Sequence, residues 1–299
     1  MGIILIVSAC QGASLSAVQP IQIASSPLPT LLPATVTQTS APTPTPSPTS
    51  PPTPTWIVQG PGDVTVPIIL YHHISISPIN SRYYVPPETF EKQIKLMHDW
   101  NYTTITIKQL LQAINNGADL PPHPIIITFD DGHLDNYTAA YPIMKKYGYT
   151  GVLYIVYNYI GADGYMNAEQ IQEMHANGWE VGSHSLNHYD LTKLDDAAKH
   201  KEIIESRTRL EQLLGFPILT FAYPFGFRDA ATMDFVRFAG YEAAMGASGY
   251  TPAQGKWNIN YLQRVEIKGN EDAKTFTRFL PWKGDPSFLP TDTPVPPDN

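Results

Sequence analysis

The sequence has one cysteine, Cys10, among its 299 residues, and only 15% of its residues are charged. A single cysteine excludes an internal disulfide framework. Lysine and arginine number 19 against 27 aspartates and glutamates, and they form no cluster, which argues against a nucleic acid partner. The formal net charge of −8 leaves neutral polymers open as partners. The apolar run 1–9 is too short for a membrane-spanning helix, which needs about 20 residues.

Proline, in contrast, is abundant, and many of the 29 prolines lie near the two ends of the chain. Residues 26–63, rich in Pro, Thr and Ser, predict a disordered linker, because such a segment cannot bury enough apolar surface to fold. Residues 283–299 predict a Pro-rich tail. Residues 1–25 predict a signal segment in which Val-Ser-Ala-Cys is similar to a bacterial lipobox, with Cys10 as the lipidation site.

This N-terminal pattern predicts where the protein resides. We expect a monomeric, extracytoplasmic lipoprotein held at the cell surface by a lipid anchor in the membrane. A secreted protein whose signal segment is simply cleaved is the alternative.

Residues 64–282 predict one α/β domain, because strand-like and helix-like segments alternate along them. We expect a mainly parallel sheet of about seven strands, closed into a distorted (β/α) barrel. In such folds the catalytic groups lie at the carboxyl ends of the strands. The unusual polar residues occur at those predicted ends: His72, Asp130, Asp131, His184 and the turn 223–226.

The segment Thr-Phe-Asp-Asp-Gly places Asp130 and Asp131 side by side after the apolar strand 124–129. Adjacent like charges repel, so a compensating positive group is expected. His184 and His188 lie four residues apart and can converge on one metal ion. Together with one aspartate they would hold a divalent cation, which offsets the repulsion and leaves the other aspartate free to act as a base.

Each pattern also has a simpler interpretation. His-x-x-x-His is often incidental, and Asp-Asp-Gly after a strand can be a turn whose carboxylates cap a helix. A strand-end aspartate is also the nucleophile of phosphotransfer enzymes, but that interpretation leaves the histidines unused, and no strong phosphate loop is present. The remaining histidines are assigned to surface or capping positions: His98, His123, His133, His175 and His200.

Taken together, Thr-Phe-Asp-Asp-Gly and Ser-His-Ser-Leu-Asn-His resemble the first two motifs of the polysaccharide deacetylases, carbohydrate esterase family 4 with the NodB homology domain. The resemblance extends over residues 66–268. Phe-Ala-Tyr-Pro-Phe-Gly resembles the third motif, except that Ala222 stands where the family usually has an arginine that orients the catalytic aspartate. Arg264 is a candidate substitute for that arginine.

The family's usual C-terminal Leu-x-His strand is absent, since residues 268–299 contain no histidine. Leu70-Tyr71-His72, near the domain start, matches it instead, which resembles the permuted branch that acts on poly-N-acetylglucosamine. Side chains alternate along a strand, so Leu70 and His72 share one face, and we favour His72 over His73 as the general acid.

The resemblance implies a metal-dependent hydrolase of a carbon–nitrogen bond that removes N-acetyl groups from an N-acetylglucosamine polymer and releases acetate. It implies zinc, with Co²⁺, Ni²⁺ or Fe²⁺ as alternatives, held by Asp131, His184 and His188. The implied catalytic groups are the base Asp130, the acid His72 and the backbone N–H of Phe225, which stabilises the oxyanion.

Substrate-contacting candidates in the groove are Tyr157, Tyr165, Pro224 and Phe227. Two other functions remain open from the sequence. One is a non-catalytic carbohydrate-binding protein on the same fold, and the other is an O-acetyl esterase of the xylan type.

Overall fold

The computed structural model describes residues 55–247 and 249–289. The predictions for the signal segment, for Cys10, for most of the linker and for the end of the tail therefore lie outside the described residues. The strands are Ile57–Gln59 (β1), Val64–Thr65 (β2), Ile68–Tyr71 (β3), Thr103–Thr104 (β4), Ala118–Leu120 (β5), Pro124–Phe129 (β6), Val152–Ile155 (β7), Glu180–Ser183 (β8), Thr220–Ala222 (β9), Ala243–Met245 (β10), Ala253–Gln254 (β11) and Val265–Glu266 (β12).

The α-helices alternate with these strands. They are Pro87–Asp99 (α1), Ile107–Asn116 (α2), Tyr141–Lys146 (α3), Ala168–Ala176 (α4), Asp196–His200 (α5), Ser206–Leu214 (α6), Ala230–Phe238 (α7) and Ala273–Thr277 (α8). Two π-helical segments interrupt the regular helical pattern: Asn136–Ala140 leads into α3, and Lys201–Glu205 joins α5 to α6. Among the described residues, no helix combines the length and the apolar character needed to cross a bilayer.

The main sheet has the order β10-β9-β8-β7-β6-β3-β12, with β4 beside the start of β6, and all of these pairs are parallel. Beyond β10, the segment 259–262 returns hydrogen bonds to that strand and continues into β12. This connection curves the sheet round into a distorted barrel. The predicted α/β barrel of about seven mainly parallel strands is therefore confirmed.

Alternation along the central strands separates two hydrophobic cores. Ile125 and Ile127 of β6 pack into the cluster beneath α1, α3 and α4, whereas Ile126 packs into the cluster that includes α2. Both faces of the sheet are covered, which explains why β6 is apolar along its whole length.

Several helix ends carry local capping signals. Asn167 caps α4 by accepting a hydrogen bond from the backbone of Gln170. Helix α2 begins with a capping box between Thr106 and Gln109 and ends at Gly117, whose φ of 76° suits glycine.

The folded region extends beyond the predicted boundary at residue 64. Strand β1 lies within the segment predicted to be disordered linker, and it pairs antiparallel with β5. Gly62 donates a hydrogen bond to the carbonyl of Ile114 at the end of α2. Residues 57–63 are thus part of the domain, because β5 and the end of α2, both distant in sequence, supply hydrogen-bond partners.

The predicted tail also begins too early. The indole of Trp100 donates to the carbonyl of Asp285 at 3.1 Å, and Pro286–Phe288 forms a 3₁₀ turn. Trp282, just before that segment, stacks on His123, which directly precedes β6. The last described residues therefore pack beside the amino ends of the strands, on the same side as β1 and β5.

Candidate active site

Asp130, which follows β6, is buried and paired with an arginine from the far end of the domain. Arg264 Nη1 and Nη2 each donate to one carboxylate oxygen of Asp130 at 2.7 Å. Arg264 Nε donates to the carbonyl of Gly246, also at 2.7 Å, and the guanidinium is fully buried. Such a bidentate pair fixes the plane of the carboxylate and balances its charge. Arg264 therefore orients Asp130. In the family this role usually belongs to an arginine at the position that Ala222 occupies here.

Beside this pair, the Oδ1 atom of Asp131 faces the Nε2 atoms of His184 and His188. His184 Nδ1 lies 2.7 Å from the carbonyl oxygen of Ala222, so Nδ1 carries the hydrogen and Nε2 is left with a lone pair in the neutral ring. This Nε2 lies 3.6 Å from Asp131 Oδ1, and the Nε2 of His188 lies 3.4 Å from the same oxygen. Asp131 Oδ1 is buried and has no hydrogen-bond partner among the described residues.

These three ligand atoms fit a divalent cation. They lie within 4.8 Å of one another, and the separations of 3.4 and 3.6 Å are too long for good hydrogen bonds. Ligands at about 2.0–2.2 Å from a tetrahedral zinc ion are about 3.4 Å apart. A histidine whose other nitrogen donates to a backbone carbonyl is typical of metal ligands, and a nitrogen and oxygen set suits zinc or a related first-row ion.

Backbone conformations that are rare outside glycine cluster around this site. Asp131, Ser185, His188 and Phe225 have φ values of 72°, 70°, 61° and 58°. Each such residue costs of order 1–3 kcal/mol, and such residues concentrate at functional sites. The loops are therefore held in these conformations by their surroundings.

Glu202, in the second π-helical segment, holds the loop 184–188 from beneath. Its carboxylate accepts hydrogen bonds from the backbone N–H groups of Leu186 at 3.1 Å and Asn187 at 2.8 Å. The side-chain amide of Asn187 donates to the other oxygen at 2.5 Å. Glu202 is only 3% exposed, so its hydrogen bonds are shielded from water.

His72 directly follows β3, which lies between β6 and β12. This arrangement is the one required if His72 is to face the metal ligands. The Nδ1 atom of His72 is buried and has no hydrogen-bond partner within the described ranges, and its ring contacts Tyr83 edge-on at 4.8 Å. Burial lowers the pKa of His72, and the nearby Asp130 and Asp131 carboxylates oppose that shift.

His73 has a different environment, although it also reaches the cleft. Its Nδ1 lies 2.7 Å from Asp135 Oδ2, and its ring is stacked between Tyr84 and His133 at centroid distances of 3.9 and 3.5 Å. Both rings therefore reach the cleft in different environments, and the choice of His72 as the acid stays a prediction.

Phe225 occupies the turn after β9, beside His188. The turn's own hydrogen bonds are donated by Gly226 to Tyr223 and by Phe227 to Pro224, and within residues 55–247 and 249–289 no acceptor is recorded for the N–H of Phe225. Gly226 approaches so closely that a Cβ there would lie 2.8 Å from the backbone nitrogen of Ala247. The ring of Phe225 is 56% exposed and contacts His188 edge-on at 4.5 Å.

The proposed metal ligands and catalytic residues open into one cleft of about 480 Å³ at the carboxyl ends of the strands. The residues around it are His72, His73, Arg82, Tyr83, Tyr84, Asp130, Asp131, His133, His184, His188, Tyr223, Phe225, Gly226, Phe227, Ala247 and Glu266. The cleft thus brings together every predicted metal-binding and catalytic residue.

The predicted substrate-contacting residues divide into two groups. Phe227 lines the cleft and is 53% exposed, and Tyr165 stacks on His133 at 5.0 Å next to the cleft. Tyr157 packs against the hydrophobic core with Arg209 over its ring, and Pro224 is buried in its turn. Neither Tyr157 nor Pro224 lines the cleft, and the assignment of all four residues as substrate contacts stays a prediction.

Three kinds of residue at the site were missed by the sequence analysis. His133 was assigned to the surface but is buried, with Nε2 3.3 Å from Asp131 Oδ2. Its position two residues after Asp131 was an available signal. Glu202 and the cleft-lining pair Arg82 and Tyr83 lie outside the motifs, and no local pattern points to them.

The electrostatics of the site favour ionised aspartates. Burial alone would raise the pKa of Asp130, but the adjacent Arg264 and His184 outweigh it and the pKa is lowered. Burial likewise opposes ionisation of Asp131, but the hydrogen bond from His133 and the nearby histidines hold its pKa well below the usual range. Burial, helped by His184, lowers the pKa of His188 to about 4, so its ring is neutral and able to bind a metal.

The sequence and the fold are similar to those of known proteins. A family model described as polysaccharide deacetylase matches residues 117–244, which include both aspartates and the histidine motif. YxkH of Bacillus subtilis (strain 168), whose name assigns it to the polysaccharide deacetylases, is 29% identical over 229 residues, covering 76% of this chain and 80% of that protein.

A poly-beta-1,6-N-acetyl-D-glucosamine N-deacetylase of Staphylococcus aureus (strain MRSA252) is 27% identical over 201 residues, covering 62% of this chain and 68% of the relative. The fold is similar to that of the Streptococcus pyogenes deacetylase PplD, with a TM-score of 0.67 at 24% identity, over 76% of this chain and 99% of that one. Residues 117–244 thus match the polysaccharide deacetylase family, and its motifs lie in the expected order at one end of a parallel barrel.

Proposed function

We propose that this protein is a metal-dependent N-deacetylase of a cell-surface or extracellular N-acetylglucosamine polymer. The observation that carries the proposal is the pairing of Asp130 with Arg264 directly beside the cluster of Asp131, His184 and His188. One aspartate is thereby held as an oriented, ionised base, and the other is left with an oxygen that needs a cation.

Asp131, His184 and His188 would hold the ion, with zinc as the first candidate. Such an ion supplies Lewis acidity, which lowers the pKa of water and polarises a carbonyl group. Asp130 accepts the proton from the attacking water while its charge and orientation are maintained by Arg264. A positioned base of this kind typically contributes about 10²–10⁴-fold to the rate.

The remaining steps use two residues that line the cleft, Phe225 and His72. The backbone N–H of Phe225 donates a hydrogen bond to the developing oxyanion, a type of interaction that stabilises the transition state. Protonated His72 then gives its proton to the leaving nitrogen as the carbon–nitrogen bond breaks. The products are acetate and a free amine on the sugar.

Substrate class is proposed from two lines of support. The Staphylococcus aureus relative is named for poly-beta-1,6-N-acetyl-D-glucosamine, and it is 27% identical over 201 residues. The cleft is also open and has exposed aromatic rings, Phe225 and Phe227, at its edge. Aromatic faces of this kind suit the apolar faces of sugar rings in a neutral polymer.

The test is acetate release from poly-N-acetylglucosamine, chitin oligomers, peptidoglycan and acetylxylan, before and after chelation and after readdition of zinc or cobalt. We expect release from an N-acetylated polymer that disappears on chelation and returns with metal. Activity confined to acetylxylan would instead identify an O-acetyl esterase, and absence of release from every substrate would favour a binding protein.

Asp130→Asn provides the matched variant. It should retain metal, because Asp130 is not in the ligand set, while losing about 10²–10⁴-fold in rate. Loss of bound metal in this variant would reverse the roles assigned to the two aspartates.

A further inference from the structure

We infer that His133 is a positioning residue that fixes how Asp131 binds the metal. The inference rests on the proposed function, since it requires the metal site. His133 Nε2 lies 3.3 Å from Asp131 Oδ2, while the nitrogens of His184 and His188 face Oδ1. The two oxygens of this carboxylate therefore have separate partners.

The His133 ring belongs to a stack of four rings. Tyr84 stacks on His73 at 3.9 Å, His73 on His133 at 3.5 Å, and His133 on Tyr165 at 5.0 Å, with interplanar angles of 10°, 21° and 30°. His73 is itself anchored by Asp135, and the backbone of His133 pairs with that of Tyr165. His133 is 8% exposed, so the stack holds its nitrogen toward Oδ2 with little room to rotate.

This arrangement has a consequence for coordination. A carboxylate can bind a cation through one oxygen or through both. A hydrogen on His133 Nε2, 3.3 Å from Oδ2, would reserve that oxygen and leave Oδ1 as the single ligand from Asp131. A coordination position would then stay available for water or the acetyl carbonyl. His133 thus acts through Asp131, without touching the substrate.

Three substitutions distinguish the effect of losing the hydrogen-bond donor from the effect of losing the aromatic ring. His133→Phe keeps an aromatic ring in the stack without a hydrogen-bond donor. His133→Met and His133→Gln both remove the ring and have similar lengths, but only glutamine offers an N–H. Outer partners of metal ligands are typically worth about 10–100-fold in metal affinity. We expect the Phe and Met variants to bind zinc about 10–100-fold more weakly, with Gln recovering most of that loss.

A matched control is available on α4. The ring of His175 also stacks on an aromatic ring, Phe216, at 3.7 Å and bonds a backbone carbonyl, that of Trp179, at 2.9 Å. It does not line the cleft. His175→Met should therefore leave zinc affinity at the wild-type value, whatever it does to thermal stability.

The measurement is zinc affinity by competition with a chromophoric chelator, made on the full chain beside thermal unfolding of the metal-free protein. The absorption spectrum of bound cobalt is a second readout, because its intensity falls as coordination number rises. We expect weaker cobalt bands in the Phe and Met variants, as Asp131 becomes bidentate.

Phe and Met variants that bind zinc as tightly as the Gln variant, with an unchanged cobalt spectrum, would overturn the inference but leave the proposed function intact. Wild-type protein that binds neither zinc nor cobalt would overturn both. Should either donor-free variant fail to fold, the other supplies the comparison with Gln.

Discussion

At the scale of single residues, the buried pair of Arg264 and Asp130 decides the charge state of the proposed base. If Arg264 is replaced by methionine, burial is no longer outweighed and the pKa of Asp130 rises. Because a base must be ionised to act, the acid limb of the pH profile of kcat/KM should move to higher pH. Arg264→Lys should show a smaller shift, since an ammonium group cannot make the bidentate contact.

The same substitution has a cost in stability. Removing one partner of a buried ion pair typically costs about 3–5 kcal/mol. The pKa of Asp130 is lowered in the folded protein, so its contribution to stability is present at neutral pH and is lost as pH falls through that lowered value. An unchanged acid limb in a folded Arg264→Met protein would show that Asp130 is not the base.

Substitutions of His72 and His73 can be compared directly, because the two residues are adjacent in sequence but have different contacts. A general acid must be protonated, so the rate it supports falls as pH rises through its pKa. His72→Gln should lower kcat and remove this basic limb. His73→Gln should keep the basic limb, although it loses the contact with Asp135 and some stability. A basic limb that survives in His72→Gln would contradict the assignment.

At the scale of secondary-structure elements, both π-helical segments hold a loop of the site. Asn136 begins the first and donates from its side chain to the carbonyl of His72 at 2.7 Å. Glu202 lies in the second and binds the loop that carries the histidine ligands. A π-helical turn inserts a residue into the helix and changes which side chains face inward, and such turns are frequent at functional sites.

Glu202→Ala tests this role of the second segment. It leaves the N–H groups of Leu186 and Asn187 without their acceptor, and one buried unsatisfied group costs about 1–3 kcal/mol. We expect a loss of at least that size in the free energy of unfolding, measured by denaturant titration, together with weaker zinc binding. Wild-type zinc affinity in Glu202→Ala would contradict a role in holding the loop.

Glu205→Ala is the control within the same π-helical segment. Glu205 forms an exposed ion pair with Arg209, which typically contributes about 0–1 kcal/mol. This variant should change stability little and leave zinc affinity unchanged.

Elements with strong local signals were predictable from the sequence, and those that depend on distant partners were not. The apolar run of β6 and the capping residues Asn167 and Gly117 identify their elements without tertiary information. Strand β1 has exposed residues and forms only because β5 offers it an edge. The π-helical segments keep a helical pattern in sequence, so nothing local distinguishes them from α-helix.

The residues of the candidate site also divide into those that local motifs identify and those that only the fold brings together. Asp131, His184 and His188 sit in compact motifs that the sequence identifies by itself. His72 was noted at a predicted strand end, but its role as acid, like the role of Arg264, was proposed only through the resemblance to a family, because strand order brings both residues to the site. His133 and Glu202 act on other residues of the site through contacts that only the folded chain reveals.

At the scale of the whole molecule, we propose that the protein is attached to a membrane by a lipid on Cys10, a residue outside the described structure. A bacterial lipoprotein cysteine carries more than one acyl chain, as stable anchoring requires. Wild-type protein should fractionate with membranes, and Cys10→Ser should be released with its activity intact. Wild-type protein found free in the medium would contradict the anchor and leave residues 1–9 as only a cleaved signal.

Both ends of the described chain pack on one side of the domain, and the cleft lies on the other side. Strand β1 and Trp282 both lie by the start of β6, while the cleft lies beyond its end, about 20 Å further along a six-residue strand. A tether or a fused domain joined at either end would therefore be attached on the side of the domain opposite the cleft. The cleft would stay accessible to a polymer chain approaching from the other side.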